Sequence, residues 1–171
     1  MHIKKIGIVG AGTMGHGIAL VSAKAGYDVI LHDIKDDYVK KGLSSIERFI
    51  DKSIEKAKMT PEDKKNILSR IHGTTHLEDF KDADLIIEAI VEHATVKKDV
   101  FTKLDSICKK DTLFASNTST IPITDLASAT HRPDKFIGMH FMNPVPLMKL
   151  VEVIRGCLLY TSDAADEEDS V

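Results

Sequence analysis

Cysteine is scarce. Cys108 and Cys157 are the only two, which make neither a disulfide framework nor a metal-ligand spacing and suit a reducing cytoplasm; no metal site is expected. No apolar run approaches the roughly 20 residues that cross a bilayer, and Met1 runs straight into an apolar strand pattern without a cleavable leader. A membrane partner is therefore not expected. Basic excess is missing too. The formal charge is −3, but Asp163, Asp166, Glu167, Glu168 and Asp169 crowd the last nine residues and leave +2 on the rest. That balance speaks against a nucleic-acid binder. What is present, 171 residues with 43% apolar and 29% charged side chains, suffices for one soluble domain with a real core.

Residues 3–9 are rich in Ile and Val and read as a buried strand, residues 13–25 have helical spacing and stop at Gly26, and "YDVILHD" reads as a second buried strand. Strand, helix and strand within 33 residues make one βαβ unit. Residues 35–70 differ. Leu43, Ile46, Ile50, Ile54 and Ala57 recur at helical steps, and "TPED" offers Thr60 as a cap, Pro61 at the first helical position and Asp63 to close a box. This predicts an inserted helical hairpin. Its nine Lys/Arg against five Asp/Glu between Tyr38 and Arg70 read as a solvated basic face. Strands at 83–90 and 112–117 then flank a helix at 96–108, and 135–141 and 149–154 give two more strands. Alternation of this kind predicts an α/β fold: a doubly wound, mainly parallel Rossmann-type sheet.

"GIVGAGTMGHG" places Gly10, Gly12 and Gly15 in a GxGxxG turn between first strand and helix, and the second strand ends in Asp33, 18 residues past Gly15. That context makes it a dinucleotide fingerprint. The turn from Gly10 through Ala11, Gly12, Thr13 and Met14 to Gly15 would carry a pyrophosphate at the helix N-terminus. Asp33 would take the ribose hydroxyls and repel a 2′-phosphate, so NAD is the expected cofactor.

His140 closes a strand, and Glu152 lies in a strand expected beside it. A carboxylate on the far imidazole nitrogen would fix the tautomer and favour the imidazolium, making His140 a candidate base. By pattern alone Ser119 is a strand-end serine, Asn143 an Asx turn before Pro144, and Glu92 and Lys97 surface charges. "EAIVEH", "ASNTSTIPI" and "GMHFMNPVPLMKLVEVIRG" together resemble the L-3-hydroxyacyl-CoA dehydrogenases, especially the bacterial 3-hydroxybutyryl-CoA dehydrogenases, and the resemblance covers residues 1–156. It implies oxidation of the 3-hydroxyl of an acyl-CoA with NAD, or the reverse, with His140 and Glu152 as the catalytic pair. It implies further that Ser119 and Asn143 hold substrate oxygen and the nicotinamide, that Glu92 and Lys97 line the nicotinamide side, and that Lys56 on the hairpin contacts the CoA nucleotide. Phe49 stands where the family often has a serine for that nucleotide. Two alternatives share these motifs: a sugar-acid dehydrogenase that needs no CoA, and a non-catalytic NAD-binding module.

The ending departs from this pattern. In the family "VEVIRG" continues into further sheet and a helical domain that forms a homodimer, whereas "CLLYTSDAAD" resembles a translated sequencing adapter. Residues 1–156 are thus expected to be an NAD-binding domain incomplete at its C-terminal end. Residues 157–171 are expected to be a non-native or disordered acidic tail, the helical domain absent, and the fragment itself inactive.

Overall fold

A computed structural model of the chain describes residues 2–156; the tail expectation lies outside them. Seven strands form one sheet, in the spatial order Ile71–Thr74, Asp28–His32, Lys5–Val9, Leu85–Glu88, Leu113–Ser116, Phe136–Phe141, Val151–Arg155. Its centre is built from β1 (Lys5–Val9), β2 (Asp28–His32) and β4 (Leu85–Glu88), whose residues are almost all buried because helices cover both faces of a parallel sheet. The βαβ unit closes through α1 (Thr13–Lys24). This helix ends as expected, with Gly26 at φ +98°. Its N–H donates to Ala23 O at 3.0 Å and that of Tyr27 to Ser22 O at 3.2 Å, a Schellman closure that favours glycine.

The hairpin consists of α2 (Asp36–Glu55) and α3 (Pro61–Leu68). Thr60 and Asp63 form the expected reciprocal capping box, and Lys64 ties the two helices by ion pairs to Glu47 (2.9 Å) and Asp51 (2.7 Å). Ile46, Ile50 and Ile67 are buried in the same core cluster as α1, with Leu43, Phe49 and Ile54 packed on its margin. Ala57 departs from the expected stripe. It is exposed and has φ +53°, because α2 has already ended at Glu55.

Besides two short 3-10 helices, Leu77–Phe80 and Pro133–Lys135, two elements escaped the sequence pattern. β3 (Ile71–Thr74) adds a parallel edge strand beside β2, and α5 (Ile123–Ala127) follows β5 (Leu113–Ser116). The opposite face of the sheet is packed by α4 (Ala94–Ile107) and α5 around Phe80, Phe101, Phe114 and Phe136, where the Phe101 and Phe136 rings meet edge-on at 4.6 Å. β6 (Phe136–Phe141) continues the parallel order; β7 (Val151–Arg155) runs antiparallel to it. Among the described residues no helix is long and apolar enough to cross a membrane. Strand order reverses between β1 and β4, so a crevice opens at their carboxyl ends, where open α/β sheets bind ligands.

Candidate active site

The glycine turn forms one wall of that crevice. Gly10 has φ +103°, a left-handed conformation that suits only glycine, and a β-carbon there would lie 2.6 Å from Ala89 O. At Gly15 a β-carbon would stand 1.7 Å from Gly10 O, so only a bare Cα lets α1 start this close to the turn. Gly12 is the opposite case. It is exposed, and nothing lies within 4 Å of a β-carbon built on it. Being the N-cap of α1, it supplies no side chain to the first-turn N–H groups, and that turn holds no acid. Among the described residues no side chain caps the positive end of this helix, and its N-cap borders the crevice, which is what a pyrophosphate requires. Thr13 and Met14, in that first turn, are exposed and half-buried.

Asp33, just past the end of β2, stands beside the turn. One oxygen accepts from Ala11 N–H and the other from Ile34 N–H, each at 2.8 Å. Each keeps a further lone pair for an outside donor. A volume of about 790 Å³ extends from here, bounded by Gly10, Gly12, Asp33, Tyr38, Ile90 and Val96, large enough for a nucleoside moiety. His32 forms part of its wall. Burial pushes this imidazole below 6.5 despite the neighbouring Asp33 charge.

On the other side of the switch point, β6 and β7 bring two side chains together. His140 and Glu152 are direct partners in the antiparallel register, and on one face of a sheet such partners touch. His140 Nδ1 lies 2.8 Å from a Glu152 carboxylate oxygen, and Nε2 lies 3.0 Å from Ser119 Oγ. A proton on Nδ1, donated to the carboxylate, leaves Nε2 as the acceptor of the serine O–H. Ser119 sits in the loop after β5, two residues past Asn117, whose Oδ1 accepts from Phe141 N–H at 2.8 Å and pins the end of β6. Asn143 is exposed three residues beyond His140, just before a cis peptide to Pro144. Lys56 is exposed at the C-cap of α2. Among the described residues no hydrogen bond or ion pair joins it to the His140 cluster.

Lys97 overturns its surface reading. Its side chain is 1% exposed, and its ammonium lies 2.6 Å from Glu88 Oε1 and 3.2 Å from Glu92 Oε2. Glu88, wholly buried, accepts in addition from Ile90 N–H (2.7 Å) and Ser116 Oγ–H (2.6 Å). Glu92 is 41% exposed, and its Oε1 accepts from the Thr118 hydroxyl, Ser119 N–H and both donors of Thr120. Burial pushes the Glu92 carboxyl up, but the Thr118 hydrogen bond and the Lys97 charge outweigh it and hold it down at about 2. Glu88, Ser116 and Thr118 were not singled out from sequence. The available signal was an acid ending the apolar run "LIIE", since a carboxylate in a buried strand requires a partner.

The chain matches the family described as 3-hydroxyacyl-CoA dehydrogenase, NAD binding domain, over residues 5–166. It is 55% identical over 154 residues to a probable 3-hydroxybutyryl-CoA dehydrogenase of Deinococcus radiodurans, covering 89% of this chain and 54% of that protein. It is 49% identical over 165 residues to the 3-hydroxybutyryl-CoA dehydrogenase of Bradyrhizobium diazoefficiens, covering 96% and 56%. The solved (S)-3-hydroxybutyryl-CoA dehydrogenase of Ralstonia eutropha superposes with a TM-score of 0.90 at 47% identity, over 91% of this chain and 55% of that one. The chain spans about half the length of these relatives. With a glycine turn at one side of the switch point and a braced imidazole at the other, it belongs to the 3-hydroxyacyl-CoA dehydrogenase family, as a member of its NAD binding domains.

Proposed function

We propose that the protein interconverts an L-3-hydroxyacyl-CoA, with 3-hydroxybutyryl-CoA the substrate of choice, and the corresponding 3-ketoacyl-CoA. The observation that carries this reading is His140 held between Glu152 and Ser119. Oxidising a secondary alcohol requires a base for the hydroxyl proton. His140 Nε2 takes it, exchanging its bond from Ser119 for one from the substrate O–H, and the Glu152 carboxylate offsets the charge of the resulting imidazolium. Ser119, released from Nε2, donates to the substrate oxygen, and Asn143 orients the reacting groups from the β6–β7 turn. NAD, when bound, supplies the acceptor for the hydrogen leaving the carbinol carbon. Gly10, Ala11, Gly12, Thr13, Met14 and Gly15 hold its phosphates, Asp33 its ribose, and Glu92 and Lys97 support its nicotinamide side. Lys56 on the basic hairpin meets the CoA nucleotide.

In this reading residues 1–156 are the cofactor-binding part of a cytoplasmic homodimeric enzyme, and the 171-residue chain, about half the length of its relatives, turns over substrate negligibly by itself. The test is His140→Gln in the whole protein. Turnover of acetoacetyl-CoA should fall by roughly 10²- to 10⁴-fold with NADH binding retained. Undiminished turnover would remove His140 from the mechanism.

A further inference from the structure

Glu92, Lys97 and Glu88 form a layer beneath the loop that carries Ser119, and its geometry is that of a clamp rather than of a ligand. One oxygen of Glu92 receives the Thr118 hydroxyl, Ser119 N–H at 3.0 Å, Thr120 N–H at 3.3 Å and Thr120 Oγ1–H at 3.2 Å. Four donors from three consecutive residues thus converge on a single atom. The other oxygen faces Lys97, whose ammonium is buried between Glu92 and Glu88. Glu88 is in turn held by Ser116, two residues before Thr118, and Thr118 N–H approaches Ser116 Oγ at 3.3 Å. Thr118 is nearly buried, and its hydroxyl both donates to Glu92 and accepts from Ile121 N–H at 3.0 Å. Asn117 closes the far side: its N–H donates to Glu88 O and its side chain accepts from Phe141, adjacent to His140. Every residue from 116 to 121 is therefore tied to this charged layer, to its neighbours in the loop or to the end of β6. The Ser119 hydroxyl of this stretch bonds to His140 Nε2.

We propose that Thr118 is a positioning residue. With Glu92, and with Lys97 and Glu88 beneath, it fixes the Ser119 hydroxyl at bonding distance from His140. A buried ammonium between two carboxylates is required because two like charges could not share this space, and the surplus negative charge is offset by the loop's own donors. The loop is thereby preorganised before any substrate arrives, which is how a short polar loop holds a reacting group within the tolerance catalysis demands. The inference rests on the dehydrogenase reading for its catalytic consequence, though not for the clamp itself.

Thr118→Val keeps the shape and deletes the hydroxyl; Thr118→Ser keeps the hydroxyl. In the chain, amide hydrogen exchange at Ser119 and Thr120 should accelerate by roughly 10- to 100-fold in Thr118→Val, the effect of losing a charge-assisted hydrogen bond. It should return to the parental rate in Thr118→Ser, with β4 and β5 amides unmoved in both. In the whole protein kcat should fall in Thr118→Val and recover in Thr118→Ser while KM for NADH stays constant, a split that general destabilisation does not produce. If Thr118→Val loosens the entire sheet, Glu92→Gln, on a part-exposed side chain, replaces it with the same expected local acceleration. Unchanged exchange at Ser119 and Thr120, or a Thr118→Ser variant behaving like Thr118→Val, overturns the clamp. Absence of acetoacetyl-CoA turnover by the unsubstituted whole protein would sink the dehydrogenase reading and leave the exchange result to decide the clamp.

Discussion

Replacing Lys97 by Met should be among the most damaging single changes in the chain. The methylene stem of Lys97 packs as Met can, so the loss is electrostatic. Glu88, wholly buried, loses its one charged donor of these three and keeps Ile90 N–H and Ser116. Breaking one side of a buried pair typically costs about 3–5 kcal/mol, because the remaining charge is left without compensation. A domain of this kind has only about 5–15 kcal/mol to lose. At roughly 2–4 °C per kcal/mol for a chain of this size, the melting midpoint should fall by about 6–20 °C. Scanning calorimetry of parent and variant near pH 7 measures it. Adding Glu88→Gln to Lys97→Met removes the orphaned charge and should restore roughly half of the loss or more. A single-variant shift under about 2 °C, on that scale, or a double variant no more stable than Lys97→Met, would refute the buried ion pair as the source of stability.

The two loop glycines should separate fold from binding. Gly15→Ala forces a methyl group onto Gly10 O and should cost about 1–3 kcal/mol along with NADH affinity. Gly12→Ala, in open space, should leave the melting point alone and weaken NADH fluorescence titrations; an unaffected affinity would move the phosphates elsewhere. Asp84 anchors β1 by accepting from the N–H groups of Lys4 and Lys5, and it pairs with Lys109. Burial opposes its ionisation, yet these donors hold the carboxyl at about 2. Asp84→Asn should therefore cost about 2 kcal/mol at neutral pH. Because the folded value is depressed, that cost is fully present above 3.8 and vanishes as pH falls through about 2; a pH-independent difference would refute the assignment. His32 acts in a higher window. Burial depresses its imidazole, so the unfolded chain takes the proton first and stability declines as pH falls below 6.5. His32→Leu should flatten that slope in urea titrations; an unchanged slope would place its origin elsewhere.

Much of this molecule was legible in the sequence because its signals are local. The GxGxxG turn, the Gly26 stop and the Thr60–Asp63 box each operate within a few residues, and each formed as its chemistry requires. β3 was not legible. It is four residues long, contains Gly73 and is only partly buried, so it takes its conformation from pairing with β2 rather than from any pattern of its own. α5 is too short, at five residues, for helical periodicity to register. Lys97 misled for a different reason. Its partners stand nine and five residues upstream, across the turn between β4 and α4, and no helical or strand spacing connects them. A charge looks exposed until the opposite charges that bury it are known.

The His140–Glu152 contact depends on a register that the chain specifies at one position in particular. In an antiparallel pair a slip of one residue turns every side chain of the strand to the other face, which would take Glu152 away from the imidazole altogether. β7 has little burial to resist such a slip, since Glu152, Val153, Ile154 and Arg155 are all exposed. Steric fit supplies what burial does not. Ile154 lies opposite Gly138, where a β-carbon would come within 3.0 Å of Ile154 Cβ and closer still to Ile123. Its neighbours Ile137 and Met139 carry side chains, so the gap that admits Ile154 exists only at Gly138. Two residues toward the carboxyl end of β6, and two toward the amino end of β7, the same register aligns His140 with Glu152. The glycine in "FIGMHF" is therefore a determinant of the His140–Glu152 geometry: an absent side chain on β6 fixes where a carboxylate on β7 must stand.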